Sequence, residues 1–206
     1  MNGWQQIILE VQLMNSVTIK ETQPFQNSIY EIEHVGADLD KIRNYITQLE
    51  TDQSKWYSRM GGTATHVSKV VDSELIPLFD KIDSLAFSII RSWGVLADLK
   101  LNHYWVNLDK TNTYGCSHAH YNCILSGSFY LTIPEGSGNI IFERPDQSEF
   151  QYKADEYNVY SYKTYAVEPK EDMIVMFPSF IKHRIDMHNF KPEEKRICIS
   201  FDYGYK

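Results

Sequence analysis

His118 and His120 stand one residue apart in Ser117-His118-Ala119-His120, and His183 and then Arg196 follow farther along the chain. In an extended strand the side chains at i and i+2 project from the same face. This pair can therefore aim two imidazoles at one point, and a distant strand that brings His183 there completes a set of three nitrogens. Imidazole is a good ligand for iron, zinc, copper and nickel. The guanidinium of Arg196 offers a planar fork of N–H donors matched to a carboxylate. The combination points to a mononuclear metal centre that holds an organic acid.

Each member of the set has a plainer reading. A His-x-His pair alone is as compatible with packing as with a ligand role, and Arg196 alone with an exposed edge strand. The ordered combination in a stranded region favours the metal. Arg196 alternates with Ile197, Ile199 and Phe201, so Arg196, Cys198, Ser200 and Asp202 share the opposite face. If that face looks inward, the guanidinium needs an anion, because an unpaired buried charge costs several kcal/mol; a bound carboxylate would supply it. His188 lies an odd number of positions beyond His183, which on a regular strand turns it the other way, toward the surface. His34, His66 and His103 lack a partner at ligand spacing and read as non-ligands, with His103 a candidate for a pocket mouth.

The elements that must position these residues fall into a helical first half and a stranded second half. Val17 to Ile32 alternates weakly around Pro24 and reads as an edge strand or extended entry. Asp38 to Glu50 has helical spacing, with Asp38 as a candidate N-cap. Thr51 to Thr65 reads as a polar loop containing Gly61-Gly62. Ser73 through Trp93 reads as a second helix opened by Ser73 and ended by Gly94. From Leu99 the apolar period becomes two or breaks into short runs. Strands are expected at Leu99–Leu108, Tyr114–His120, Ile124–Ile133 with a break at Ser126-Gly127, Asn139–Glu143, Val159–Val167, Asp172–Phe177, Lys182–Met187 and Lys195–Tyr203. Turn residues fill Asp109 to Thr113, and Arg144 to Asp155 forms a polar loop or hairpin insert. Two helices followed by about eight short strands fit a mainly β fold with flanking helices, a double-stranded β-helix or jelly-roll barrel.

Composition narrows the class. A chain of 206 residues reads as one domain able to bury a real core. Within it, residues 1–98 form an entry segment with supporting helices and 99–206 a jelly-roll core carrying the metal site. Fourteen tyrosines and ten phenylalanines suit strands and an aromatic-walled pocket. The formal net charge of −7 makes duplex nucleic acid a poor partner. Cys116, Cys123 and Cys198 are odd in number and include no Cys-x-x-Cys, so a disulfide framework is not expected and a reducing cytoplasm fits best. No apolar run reaches the roughly 18 residues of a membrane span. Met1–Leu13 lacks the basic stretch and cleavage site of a signal peptide. It reads either as a short packed helix or as a tail, with Met14 the true start. Substrates of small-molecule and macromolecular kind both stay open, as does a homodimer.

Several ordered pieces carry a family resemblance: Trp105-x-Asn107, His118-x-His120, Leu125-Ser126-Gly127-x-x-Tyr130, Phe177-Pro178 with His183 after it, and Arg196-Ile197-x-Ile199-Ser200-Phe201. From Leu99 to Tyr203 the chain resembles the 2-oxoglutarate/Fe(II) oxygenases, more narrowly the bacterial and phage branch with His-x-His where most relatives carry His-x-Asp. The resemblance implies that His118, His120 and His183 hold Fe(II) and that Arg196 binds the distal carboxylate of 2-oxoglutarate. Asn107, Tyr130 and Ser200 become co-substrate contacts, and Trp105, Tyr104 and Asn122 candidates for the pocket wall, although for Trp105 core packing is the stronger reading. The implied activity is hydroxylation with release of succinate and carbon dioxide. Two departures stand out. A third histidine replaces the usual carboxylate ligand, which leaves the ion at +2 and keeps zinc in play. Cys198 takes the place of a hydroxyl near the arginine, and a thiol is the weaker donor. Two rivals remain at this point: a cupin-type metal enzyme that uses no 2-oxoglutarate, and a jelly-roll binding module without catalysis.

Overall fold

Helical spacing produces helices where the sequence places them. The first, α1, spans Leu39–Glu50 and buries Ile42 and Ile46; the Asp38 carboxylate caps it by accepting the Lys41 N–H at 3.1 Å. The second, α2, spans Ile76–Ser92 and buries Leu78, Phe79, Ile82, Ala86 and Ile90. It begins later than expected. Pro77 sits in its first turn, where a missing N–H costs nothing, and the Ser73 hydroxyl bonds Glu74 rather than a helix amide. Gly94, at φ 79°, ends it as anticipated. The structure, a computed structural model, describes residues 8–9, 19–20, 27–59, 61–145 and 162–206. Most of Met1–Leu13, read as a short helix or a tail, lies outside these residues, and its described part, Ile8–Leu9, is a strand; nearly all of the Arg144–Asp155 insert and the start of the Val159–Val167 strand also lie outside them.

The strands in chain order are β1 (Ile8–Leu9), β2 (Ile19–Lys20), β3 (Tyr30–Ile32), β4 (Trp56–Arg59), β5 (Gly62–Thr65), β6 (Leu99–Asp109), β7 (Gly115–His118), β8 (Leu125–Thr132), β9 (Ile140–Glu143), β10 (Thr164–Val167), β11 (Met173–Pro178), β12 (His183–Ile185) and β13 (Arg196–Tyr205). β1 and β2 pair with each other. The rest form a seven-stranded sheet in the order β3-β11-β8-β13-β6-β5-β4 and a four-stranded sheet in the order β10-β9-β12-β7. All these pairings are antiparallel. This is the jelly-roll arrangement of a double-stranded β-helix, with both helices on one side of the larger sheet.

Three local differences bear on the site. The stretch read as a polar loop contains the hairpin β4–β5, which adds two strands to the larger sheet. Gly62, at φ 151°, lets it lie close: a Cβ there would stand 2.0 Å from the Leu108 carbonyl oxygen. β8 runs through Ser126-Gly127 unbroken, because Gly127 leaves room for the Phe201 ring, which a Cβ would meet at 2.6 Å. Asp109, read as a turn residue, is the last residue of β6 and lies opposite Arg196.

The larger sheet divides the interior. On one side, Ile199, Phe201 and Tyr203 of β13 pack with Phe79, Ile82 and Ile90 of α2 and Ile46 of α1. On the other, Tyr130, Phe142, Val175, Phe177 and Cys198 fill the space between the sheets. The alternation of β13 holds: Arg196, Cys198, Ser200 and Asp202 are buried on the side away from the helices. Among the described residues no helix is long and apolar enough to cross a membrane.

Candidate metal centre

β12 lies between β7 and β9, and His183 faces His118 on one side and Phe142 on the other. The strand expected to reach His120 ends at His118. His120 lies just beyond it, tied by its N–H to the Ser179 carbonyl at 2.9 Å. The three rings still converge. Their centroids are 4.4 Å apart for His118 and His183, and 5.2 Å for each of the pairs His118–His120 and His120–His183. Their donor atoms all lie within 4.8 Å of one another, near enough to share one ion.

The second nitrogen of each ring decides what the group can do. His118 Nδ1 lies 2.8 Å from the Cys116 carbonyl and His183 Nδ1 lies 3.1 Å from the Ile181 carbonyl. A carbonyl only accepts, so these partners assign the proton to Nδ1 and leave the Nε2 lone pair open. His120 Nδ1 lies 2.7 and 2.9 Å from the two oxygens of Asp202, and its Nε2 is buried without a hydrogen-bond partner. Burial, reinforced by the neighbouring rings, brings the His183 pKa down to about 3, and burial first of all lowers that of His118. Neutral imidazoles with free lone pairs are what a divalent cation requires, so the residues present fit a metal ion.

Asp202 is the residue beside the three rings that the sequence left without a role. It is 1% exposed. Besides His120 it accepts from the Ser126 hydroxyl and from His103 Nε2 at 2.8 Å. A tethered carboxylate behind a ligand histidine fixes the ring and raises its basicity. The parity of β13 put Asp202 on the face of Arg196; what could not be read was that His120 meets it. His103, Cys123 and Asp202 form a second group whose donor atoms lie within 4.8 Å, but the Asp202 oxygens are already engaged by His120, Ser126 and His103.

Arg196 corrects an expectation. It is buried, so its face is the inward one, yet its anion is part of the protein: Nη1 donates to Asp109 Oδ2 at 2.6 Å. Arg59, delivered by the β4–β5 hairpin, bonds the other Asp109 oxygen. Burial alone would raise the Asp109 pKa, but the His188 contact and the charges of Arg196 and Arg59 outweigh it and hold the carboxylate below its usual range. His188 is not a surface residue. It is 1% exposed, its Nδ1 accepts the Gly138 N–H at 2.9 Å, and its Nε2 lies 3.6 Å from Asp109. β12 ends at Ile185, so strand parity no longer governs His188.

Two donors stay open beside this cluster. Arg196 Nε and the Tyr130 hydroxyl are both buried without a hydrogen-bond partner, and the guanidinium carbon lies 5.2 Å from the Tyr130 ring centre. Asn107 Nδ2 donates to Ser200 Oγ at 3.0 Å, and Ser200 Oγ lies 2.9 Å from Ser128 Oγ. Cys198 Sγ takes long contacts of 3.6 Å from Asn107 and Arg196, and burial raises its pKa. Of the expected wall residues, half-buried Trp105 stacks on His120 at 5.8 Å and 28°, a pocket position rather than the core position preferred from sequence. Tyr104 does not reach the pocket: it faces the helices, where its hydroxyl donates to Asp72 at 3.0 Å. Asn122 occupies an exposed bend at φ 62°.

Residues 103–202 match the model of the family described as "Putative 2OG-Fe(II) oxygenase". No curated protein matches the sequence. Among solved structures, a Pseudomonas putida prolyl-4-hydroxylase is similar, with a TM-score of 0.62 at 12% identity over 87% of this chain and 94% of that one. HygX from Streptomyces hygroscopicus, with nickel and 2-oxoglutarate bound, has a TM-score of 0.62 at 9% identity over 87% of this chain and 84% of its own. The carbocyclase SnoK from nogalamycin biosynthesis, described as non-heme and alpha-ketoglutarate dependent, has a TM-score of 0.62 at 13% identity over 86% and 79%. At these identities the likeness establishes a shared fold.

Proposed function

We propose, from the match of residues 103–202 to the 2OG-Fe(II) oxygenase family, that His118, His120 and His183 hold the ferrous ion through Nε2 and that Arg196 and Tyr130 receive the distal carboxylate of 2-oxoglutarate. Together the ion and co-substrate supply the chemistry of oxygenation, in which succinate and carbon dioxide are released and a C–H bond of the substrate is hydroxylated. The chain's own residues do the arranging. Backbone carbonyls and Asp202 lock the three imidazoles with their lone pairs facing one another. Three protein ligands leave room for a chelating acid. Arg196 Nε and the Tyr130 hydroxyl, both buried and unpartnered, are donors waiting for a carboxylate. Asn107 and Ser200 continue the polar lining, and Trp105 covers His120 and keeps water from it. Cys116, Cys123 and Cys198 are all free thiols, in keeping with a cytoplasmic setting.

The observation that carries this reading is the buried, unpartnered Nε2 of His120 in a cluster of three rings whose Nδ1 atoms are all engaged. Anaerobic titration of the Fe(II)-loaded protein with 2-oxoglutarate tests it. A weak visible absorption band is expected, absent in His183→Ala and weakened in Arg196→Ala. An iron-replete native protein that shows no band, and forms no succinate in air, rules the reading out.

A further inference from the structure

A centre built from three imidazoles lacks the ligand carboxylate that ordinarily offsets half the charge of a divalent ion. The structure places one buried carboxylate directly behind it. Asp202 meets His120 Nδ1 with both oxygens, at 2.7 and 2.9 Å, on the side of the ring away from the open Nε2. We propose that Asp202 is a positioning residue that substitutes, through the His120 ring, for the missing carboxylate ligand. Pulling on the Nδ1 proton gives His120 imidazolate character, so that the ring donates more strongly from Nε2 and carries part of the negative charge to the ion. This rests on the reading of the three histidines as metal ligands.

The surroundings of Asp202 set how hard it pulls. His103 Nε2, on a half-buried side chain, bonds the same carboxylate at 2.8 Å, and the Ser126 hydroxyl bonds it from the buried side. Ser126 is in turn 2.8 Å from Ser179, whose carbonyl holds the His120 backbone N–H. One network thus fixes both the backbone and the ring of His120. His118 and His183 lean only on neutral carbonyls, so His120 is the one ligand among the three with a charged partner.

The test uses Asp202→Asn, which keeps the shape and an acceptor for Nδ1–H but removes the charge. Fe(II) affinity, measured anaerobically against a competing chelator, is expected to fall roughly 10- to 100-fold. The visible band of the iron–2-oxoglutarate complex should shift to shorter wavelength, because a less electron-rich iron gives up charge less readily. A purely structural Asp202 would leave the band in place. His103→Ala provides the opposing measurement: it frees one Asp202 oxygen to pull on His120, and the band should move to longer wavelength. This second arm decides the matter if Asp202→Asn does not fold. Native-like affinity and an unshifted band in Asp202→Asn, or no longer-wavelength shift in His103→Ala, overturns the positioning role while the metal centre stands. A native protein that takes up no Fe(II) overturns both together.

Discussion

The two ends of the inner face of β13 use the same device with opposite effect. At one end buried Asp202 backs His120 and, in the proposed site, adds negative charge beside the cation. At the other, buried Asp109 engages Arg196 and, in the proposed site, subtracts positive charge beside the anion. One carboxylate assists its neighbour's ligand and the other competes with it. The difference teaches that burial of a charged pair does not reveal its purpose. What separates the two ends is which atoms are left over: a lone pair on His120, and N–H and O–H donors on Arg196 and Tyr130.

The largest effect should come from the metal end. His183→Ala removes a ligand outright, and Fe(II) uptake measured by metal analysis should drop by more than the roughly 100-fold that an outer partner can cost, with no succinate formed. At the anion end, Arg196→Ala should raise the KM for 2-oxoglutarate steeply and also lower stability by about 3 kcal/mol, read by chemical denaturation, because Asp109 loses its fully buried partner. Tyr130→Phe separates binding from folding. The hydroxyl has no partner to lose in the free protein, so stability should hold while 2-oxoglutarate binds about tenfold more weakly, the worth of one hydrogen bond to a charged group. The smallest and most telling change is Asp109→Asn. If Asp109 competes for Arg196, calorimetry should show several-fold tighter 2-oxoglutarate binding despite reduced stability; weaker binding would place Asp109 among the co-substrate's supports and erase the contrast.

Features within one strand or helix were legible in the sequence. The helices show in their apolar stripes, and the common face of Arg196, Cys198, Ser200 and Asp202 shows in the alternation of β13. What depends on long-range register did not show. Asp109 reads as a turn residue until β6 is paired with β13, which sets it opposite Arg196. Arg59 hides in a polar stretch because the hairpin that carries it is stabilised by pairing with β6 rather than by its own apolar pattern; Gly61-Gly62 was the one local signal. His188 was misread because strand parity was extended past Ile185, where β12 stops. The metal end was legible to the extent that i, i+2 spacing brings two rings together. The hydrogen bonds that orient those rings come from residues up to 82 positions away.

The flanks of the larger sheet come from chain ahead of Leu99: β3 covers the outer ladder of β11, and β5 covers that of β6. The same stretch supplies both helices that blanket the apolar side of the sheet. A fragment beginning at Leu99 would keep His118, His120, His183 and Arg196, yet present two bare rows of amides and a wide greasy surface to solvent, an invitation to self-association. Trimming the protein to its catalytic-looking half should therefore yield insoluble material rather than a minimal enzyme.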